Sequence, residues 1–132
     1  MGCVGELVGV PYDKIRSVWL QASELLDRSI EMSNGRLNHT TVLDGLLNRE
    51  MQLWLAPEGA LVTQIVTYPT GLKTLMLVLV GGEMGKWFHL LPQIEQWGRE
   101  QGSSISEMPR GRKGWARMLK DYNSMVFMEK RL

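Results

Sequence analysis

Three glycines that directly follow a predicted strand are the first candidates for a binding site. The unbroken apolar run Leu75–Val80 predicts a strand buried on both faces, and Gly81, Gly82 and Gly85 come next. A helix is predicted behind them, and the amides and dipole of a helix N-terminus favour an anion. The pattern therefore indicates either a phosphate-binding turn or a tight turn that needs glycine for its backbone alone.

A run of cations near the C-terminus is the second candidate. The run contains no acidic residue, and its members are Arg110, Arg112, Lys113, Arg117 and Lys120. Such a run indicates contact with phosphate, for which nucleic acid is one partner. A solvated helix face explains the same pattern and is the favoured interpretation, because like charges at helical spacing are common on surfaces.

The remaining reactive residue types predict no further site. His39 precedes a predicted helix and indicates a surface or capping residue, whereas His89 beside an apolar helix stripe predicts a partly buried structural side chain. Cys3 is the only cysteine, so an internal disulfide and a cysteine metal cluster are excluded. We therefore expect neither a metal site nor a cysteine nucleophile.

The composition is typical of an ordinary globular chain. Its 132 residues are 44% hydrophobic and 22% charged, which predicts a single domain over residues 1–132. The net charge of +1 indicates no particular class of partner, although residues 103–132 hold seven Lys/Arg and three Asp/Glu. No apolar run is long enough to cross a membrane, and no signal-peptide pattern is present. We therefore expect a cytoplasmic protein without membrane contact.

Two helices are predicted before the central part of the chain. Residues 6–10 predict a short edge strand, and apolar residues at helical spacing predict an amphipathic helix from Pro11 to near Met32. Thr40 or Thr41 is predicted to cap a second, shorter helix.

A three-stranded meander is predicted to contain the strand that ends at the glycines. Met51–Ala56 alternates with period two, and Ala60–Tyr68 forms a second apolar run before Leu75–Val80. Only short turns separate these runs, which predicts antiparallel neighbours.

The chain beyond the glycines predicts a helix, a strand, a helix and a last strand. Pro92 lies inside the first helix and predicts a bend or a later helix start. The weak strand Ser103–Met108 follows a helix that itself began at a strand, which predicts a parallel crossover. Gly114–Lys120 predicts a short helix, and Met125–Met128 predicts a closing strand.

This order of elements resembles the GCN5-related N-acetyltransferase (GNAT) fold, and more narrowly small uncharacterised GNAT-like proteins of bacteriophages and prophages. The segments that carry the resemblance are MQLWLA at Met51–Ala56, the helix after GGEMG, GRKGWARMLKDY at Gly111–Tyr122, and the C-terminal MEKRL. The resemblance covers nearly the whole chain. It implies an α/β (α+β) fold with a GNAT-like mixed sheet in the order β-α-α-β-β-β-α-β-α-β, an antiparallel meander plus a parallel crossover.

The resemblance implies that acetyl-CoA is the cofactor and that its pyrophosphate binds the turn after the central strand. The residues at that turn are Val80, Gly81, Gly82, Glu83, Met84, Gly85 and Lys86. The family pattern has Arg or Gln where this chain has Val80, and Gly where it has Glu83. A carboxylate repels pyrophosphate, and Lys86 can offset part of that repulsion. The cationic run would then reach the 3′-phosphate of CoA.

Catalysis is where this sequence departs most from the family it resembles. In GNAT enzymes a carboxylate accepts the proton of the amine, and a Tyr commonly protonates the leaving thiolate. The alignment places Arg117 where that Tyr would lie and makes Tyr122 a hydrophobic anchor. No residue from Gly59 to Val80 is acidic, and Glu50 and Glu58 flank a strand as solvated residues. The catalytic residues are therefore unassigned.

Two functions of different class remain open. The first, which these departures favour, is a non-catalytic phage or prophage module that acts in the virion or its assembly, through other phage proteins or self-association. The second is an acetyl-CoA-dependent N-acyltransferase with a divergent pyrophosphate loop. An open cleft between the central strand and its parallel neighbour would favour the enzyme, whereas a cleft filled by Trp87 or Met84 would favour the module. Nucleic acid binding through the cationic run is not favoured.

Overall fold

The computed structural model describes residues 7–109 and 113–132, which form a five-stranded sheet with helices on both faces. The strands are β1 (Val8–Gly9), β2 (Gln52–Ala56), β3 (Gly59–Thr67), β4 (Lys73–Gly82) and β5 (Ile105–Glu107). The helices are α1 (Ile15–Glu31), α2 (His39–Leu47), α3 (Met84–Trp87), α4 (Leu91–Glu100) and α5 (Lys113–Met118). Short 3₁₀ turns span Tyr12–Lys14 and Phe88–Leu90.

The strands lie in the order of the chain, β1-β2-β3-β4-β5. Each neighbouring pair from β1 to β4 is antiparallel, whereas β5 pairs with β4 in parallel. The predicted meander and the predicted parallel crossover are therefore confirmed, and with them the α/β fold class. Because β4 is the strand that carries both kinds of neighbour, it is the element on which any site at the crossover depends.

The two faces of the sheet bury separate apolar clusters. α1 and α2 cover one face, where Leu26 and Val42 pack with Leu53 of β2. α4 and α5 cover the other face, where Trp87 and Trp115 join one cluster with Leu75 and Leu77 of β4. Burial of these side chains provides the main driving force for folding. Among the described residues, no helix is both long and apolar enough to cross a membrane.

Two helix starts differ in detail from the sequence prediction. Asn38, rather than a threonine, is the N-cap of α2; its side chain accepts from the Thr41 amide at 2.8 Å, and Thr41 Oγ accepts from the Asn38 amide at 3.1 Å. Thr41 therefore completes a capping box. Pro92 lies in the first turn of α4, where its missing N–H costs no helical hydrogen bond. The predicted break at Pro92 is confirmed, because a 3₁₀ turn separates α3 from α4.

The predicted closing strand at Met125–Met128 is wrong. These residues pair with no strand, and Met125, Val126 and Met128 are 84–90% exposed. The tail instead runs to the turn after α1, where Glu129 accepts from Arg36 at 2.8 Å. A β-type sequence becomes a strand only where an edge accepts it, and this segment pairs with none of the five described strands.

Candidate functional site

β4 and β5 separate partway along their length, and the separation opens a cleft. The parallel pairing covers only three residue pairs, from Thr74–Ile105 to Met76–Glu107. β3, in contrast, pairs with β4 from Lys73 to Gly82. Among the described residues, the β4 edge that faces β5 therefore has no strand partner beyond Met76, and its backbone groups are available to a ligand.

The cleft has a volume of about 160 Å³, and most of the side chains that line it are apolar. Its walls are α1 on one side and the segment after β5 together with α5 on the other, with β4 as the floor. The lining residues are Leu25, Arg28, Ser29, Met32, Leu77, Val78, Val80, Gly81, Gly82, Met108 and Trp115. A site for a whole drug-sized ligand is typically about 300–1,000 Å³, so this cleft can enclose only the end of a long ligand. Arg28 is its one charged residue among those lining side chains.

A β-bulge in β4 changes the direction of the backbone groups at the floor of the cleft. Leu79 pairs with Val62 and Leu77 with Thr63, so Val78 is an extra residue of β4 with no counterpart in β3. Two residues later, the Val80 amide donates to Ser29 Oγ of α1 at 3.2 Å. This amide therefore points away from β3, toward α1 and the cleft. Bulges of this kind are over-represented next to active sites.

The predicted pyrophosphate turn lies at one end of this cleft. Val80, Gly81 and Gly82 line the cleft, whereas Glu83, Gly85 and Lys86 follow on the exposed strand-to-helix turn. The Glu83 amide donates to the Glu58 carbonyl at 3.0 Å, while the Gly85 amide has no acceptor among the described residues. The side chain of Met84 lies outside the described set. The turn thus meets the cleft as the prediction requires, and its role stays a prediction.

The three glycines of the turn have different reasons to be glycine. A Cβ atom at Gly81 would overlap the carbonyl oxygen of Leu25 in α1, so this glycine allows α1 to approach the sheet. Gly82 has φ +91°, in the left-handed region that favours glycine. Gly85 has no atom within 4 Å of a Cβ position and no positive φ. The fold explains the first two glycines but not Gly85.

The charges on the turn are mainly paired with one another. Lys86 Nζ lies 3.0 Å from both carboxylate oxygens of Glu58 and 3.4 Å from Glu83. The hydrogen bond to Glu58 and then that to Glu83 raise the pKa of Lys86 above its usual value. Two carboxylates thus share one ammonium group, and the local net charge is negative. Lys86 was predicted to offset the repulsion between Glu83 and pyrophosphate. Its positive charge is shared between Glu83 and Glu58.

Trp87 belongs to the core and does not fill the cleft. Its side chain is fully buried, packs against Trp115 with the rings tilted by 55° at a centroid distance of 5.6 Å, and is absent from the cleft lining. Its Nε1 lies against Gly59 and has no hydrogen-bond partner among the described residues. Trp115, in contrast, contributes to a cleft wall. Of the two side chains that would favour the module by filling the cleft, Trp87 is therefore excluded.

Glu107 is a candidate that sequence reasoning missed. The hydroxyl groups of Tyr68 and Thr74 both donate to its Oε2, each at 2.7 Å, which leaves Oε1 for another proton donor. The bond to Glu107 is the main reason that the pKa of Tyr68 is raised. Glu107 is the last residue of β5 and directly precedes Met108 of the cleft lining. Its only sequence signal was a position in a weak strand, and no motif marked it.

Tyr122 is held on the other face of the sheet. Its hydroxyl donates to Glu95 of α4 at 2.6 Å and lies 2.6 Å from Ser106 Oγ. Burial and then the bond to Glu95 raise the pKa of this phenol above its ordinary value. Tyr122 packs against the apolar cluster under α4, as the anchor prediction required, and does not line the cleft. Arg117, which stands where the family has its Tyr, is exposed on α5.

The other sequence candidates that the structure describes do not line the cleft. Arg110, Arg112 and the side chain of Lys113 lie outside the described residues, and Lys120 is exposed. His89 is also exposed, so its predicted partial burial is wrong.

Two further features of the surface contain none of the predicted site residues. His39 is a surface residue, as predicted, and its Nε2 lies 2.5 Å from Asp27. A second hollow, of about 300 Å³, lies where Arg49 covers the ring of Tyr12. In residues 7–109 and 113–132, no group of three His, Cys, Asp or Glu side chains is placed to hold a metal ion.

Solved structures that this chain resembles include acetyltransferases. An aminoglycoside acetyltransferase from an uncultured soil sample, in complex with sisomicin, superposes with a TM-score of 0.69 at 13% identity, covering 96% of this chain and 95% of that one. A GCN5-related N-acetyltransferase from Ralstonia eutropha gives a TM-score of 0.60 at 14% identity, covering 96% and 97%. A predicted acetyltransferase with acetyl-CoA from Clostridium acetobutylicum gives 0.65 at 10% identity, covering 96% and 95%.

Sequence comparison adds no relative to these structures. No protein-family model matches the sequence, and no curated protein matches it. The structural likeness extends over nearly the full length of both chains, whereas identities of 10–14% are too low to transfer an activity. The chain therefore has the fold of the GCN5-related N-acetyltransferases.

Proposed function

We propose that this protein binds acetyl-CoA in the cleft between β4 and β5 and transfers the acetyl group to an amine. The observation that carries the proposal is the separation of the two strands after Met76, which leaves the β4 edge facing an open cleft lined mainly by apolar side chains. The names of structural neighbours give independent support, since they describe acetyltransferases and one complex with acetyl-CoA. The closeness to phage-borne proteins remains a prediction.

The residues present fit acetyl-CoA in three respects. At Gly85 the position of a Cβ atom has no atom within 4 Å, so the backbone there allows a close approach to a pyrophosphate. The Val80 amide points into the cleft and already donates to an oxygen acceptor, Ser29 Oγ, whose place a ligand carbonyl can take. The apolar walls suit a pantetheine arm, and the coenzyme when bound supplies the activated acetyl group. Glu83 and Glu58 oppose this fit, so we expect modest affinity.

Glu107 is the residue that we assign as proton acceptor in this proposal. An amine that attacks a thioester must lose a proton, and a carboxylate within reach can accept it. Tyr68 and Thr74 fix Glu107 Oε2 by two hydrogen bonds, which leaves Oε1 as the basic atom. Thr74 and Leu75 are neighbours in β4, and Leu75 faces α4. The Glu107 side chain therefore lies on the α1 face, the same face as the α1 wall of the cleft.

A thermal-shift titration with acetyl-CoA tests the proposal. Binding to the native state alone adds about 2.7 kcal/mol at a ligand concentration of a hundred times Kd. We expect a rise in melting temperature that Gly85→Asp abolishes and Thr70→Asp, which adds the same charge at an exposed distant turn, leaves unchanged. Absence of any shift at millimolar acetyl-CoA would remove the proposal.

An activity assay then tests the assignment of Glu107. CoA release is followed with a thiol reagent over a panel of primary amines. Glu107→Gln keeps an acceptor for the Tyr68 and Thr74 hydroxyls but removes the base, so we expect kcat to fall by about 10²-fold or more. Acetyl-CoA affinity should not change in this variant. Full activity of Glu107→Gln would transfer the role to another group.

The exposed tail favours a second candidate function, a protein-interaction module. Met125, Val126, Phe127 and Met128 form a contiguous apolar segment that is 54–90% exposed, and such segments mark interaction surfaces. A phage or virion assembly module that works through self-association or other phage proteins would use this segment. Light scattering on the wild type and on Phe127→Ser tests self-association: a concentration-dependent dimer that this substitution abolishes supports it. A monomer at all concentrations rejects self-association through the tail.

A further inference from the structure

Arg28 is placed where an anionic ligand group would meet the start of the glycine turn. The carbonyl of Leu25 lies directly over Gly81, so this turn of α1 is in contact with the end of β4. Arg28 follows Leu25 by three residues, which places the two on the same side of α1. Arg28, Gly81 and Gly82 line the same cleft. A long guanidinium side chain at this position reaches the space over the turn.

No acidic partner neutralises Arg28 among the described residues. The ion pairs in that part of the chain do not include it, and no carboxylate lines the cleft. Its neighbour Asp27 is turned toward α2, where it meets His39 at 2.5 Å. On the α1 wall, the cleft therefore carries a positive charge that none of the described ion pairs engages.

On the glycine turn, in contrast, the cation Lys86 is already paired with carboxylates. Val80 occupies the place where an Arg or Gln donor was expected, and Lys86 is bonded to both Glu58 and Glu83. Backbone amides alone would then face a pyrophosphate beside two carboxylates. A cation from another element is needed to balance that charge, and Arg28 is the one charged side chain in the cleft lining.

We propose that Arg28 of α1 binds the phosphate groups of the coenzyme and supplies the positive charge that the turn lacks. This inference rests on the proposed function. Guanidinium groups pair with phosphate through two parallel hydrogen bonds, which Lys cannot reproduce. The helix that forms one wall of the cleft is thereby part of the coenzyme site.

Isothermal titration with CoA and with pantetheine, which lacks the phosphates, tests the proposal. We expect Arg28→Gln to raise Kd for CoA about tenfold, equivalent to about 1.4 kcal/mol, and to leave Kd for pantetheine unchanged. Arg28→Lys should lie between Gln and wild type. Arg16→Gln, an exposed arginine at the start of the same helix, is the matched control and should bind CoA like wild type. The CoA affinity of Arg28→Gln should also depend less on salt.

Four results would overturn the proposal, and they differ in what else they affect. An unchanged Kd for CoA in Arg28→Gln removes the role of Arg28 and leaves acetyl-CoA binding intact. Equal losses for CoA and pantetheine show a structural role, which a lowered melting temperature would confirm. A wild-type protein that binds neither compound removes the proposed function itself. A change confined to KM for acidic amine acceptors assigns Arg28 to the acceptor and overturns the coenzyme assignment.

Discussion

The Gly85→Ala variant tests whether Gly85 is needed for ligand binding or for folding. Gly85 is exposed, its φ lies outside the left-handed region, and a Cβ atom there would contact nothing within 4 Å. Alanine restricts the unfolded chain more than glycine and is the better helix former. The apo protein should therefore be unchanged or stabilised by up to about 1 kcal/mol.

Gly81→Ala provides the opposite expectation on the same turn. Its new methyl group would overlap the Leu25 carbonyl, which belongs to the backbone of α1 and cannot rotate away. Helix and sheet must then separate, and overpacking of this kind typically costs about 1–3 kcal/mol. Each variant adds one methyl group, at positions four residues apart, so the cost of the clash at Gly81 should appear as a lower stability of Gly81→Ala than of Gly85→Ala.

Gly85→Ala should weaken coenzyme binding, although it should not weaken the fold. A methyl group on the turn would stand where the backbone must approach a pyrophosphate, and we expect Kd for CoA to rise about tenfold, or about 1.4 kcal/mol. Urea unfolding gives the stability of the apo protein, and calorimetric titration gives Kd. Gly114→Ala is the control, because Gly114 also has no atom within 4 Å of its Cβ position.

Two results would refute this reasoning about Gly85. A loss of more than about 1 kcal/mol in the apo Gly85→Ala protein would mean that the fold needs this glycine after all. Wild-type affinity for CoA in the same variant would mean that the turn does not approach the ligand. If Gly114→Ala loses as much affinity as Gly85→Ala, the loss is not specific to the turn at Gly85.

Two further predictions concern charge and pH. Glu83→Gln removes a carboxylate beside the predicted pyrophosphate position, so CoA affinity should rise about fivefold, or roughly 1 kcal/mol, whereas Glu50→Gln on a distant surface should have no effect. Tyr122→Phe removes the bonds to Glu95 and Ser106, so the free energy of unfolding should fall by about 1–2 kcal/mol. The raised pKa of Tyr122 means that folding favours the protonated phenol, so this contribution is present below about pH 10 and is lost at higher pH. The urea midpoint should therefore fall less in Tyr122→Phe than in wild type when the pH is raised from 8 to above 10.

The order of elements was predictable because each is marked by its own residues. The apolar run before Gly81, the proline in α4 and the short turns of the meander are local signals, and the structure confirms them. The last strand was not predictable, because Met125–Met128 is strand-like by itself but a strand depends on a partner edge. The tail is held instead by an exposed contact of Glu129 with Arg36.

The polar residues of the site were hidden for a different reason. Ser29 and Arg28 lie in a helix whose apolar spacing already explains the sequence, so nothing in the pattern separates a polar residue that faces a cleft from one that faces solvent. Glu107 is one acidic residue in a three-residue strand, and only the pairing of β4 with β5 brings Tyr68 and Thr74 to it. Such sites depend on contacts between distant segments, which periodicity does not contain.

The bulge at Val78 links the fold to the cleft. In a regular strand Leu75, Leu77 and Leu79 would share one face, yet Leu77 packs under α4 and Leu79 packs under α1. The extra residue changes which residues of β4 face α1 and which face α4. Because the whole run is apolar, a period-two pattern in the sequence does not show this change. Because of the shift, residues 79 and 81 both face α1, and the missing side chain at Gly81 lets that helix approach closely. The approach brings Ser29 to the Val80 amide and Arg28 to the cleft. One inserted residue in β4 therefore decides which helix forms the wall of the cleft and which side chains it presents.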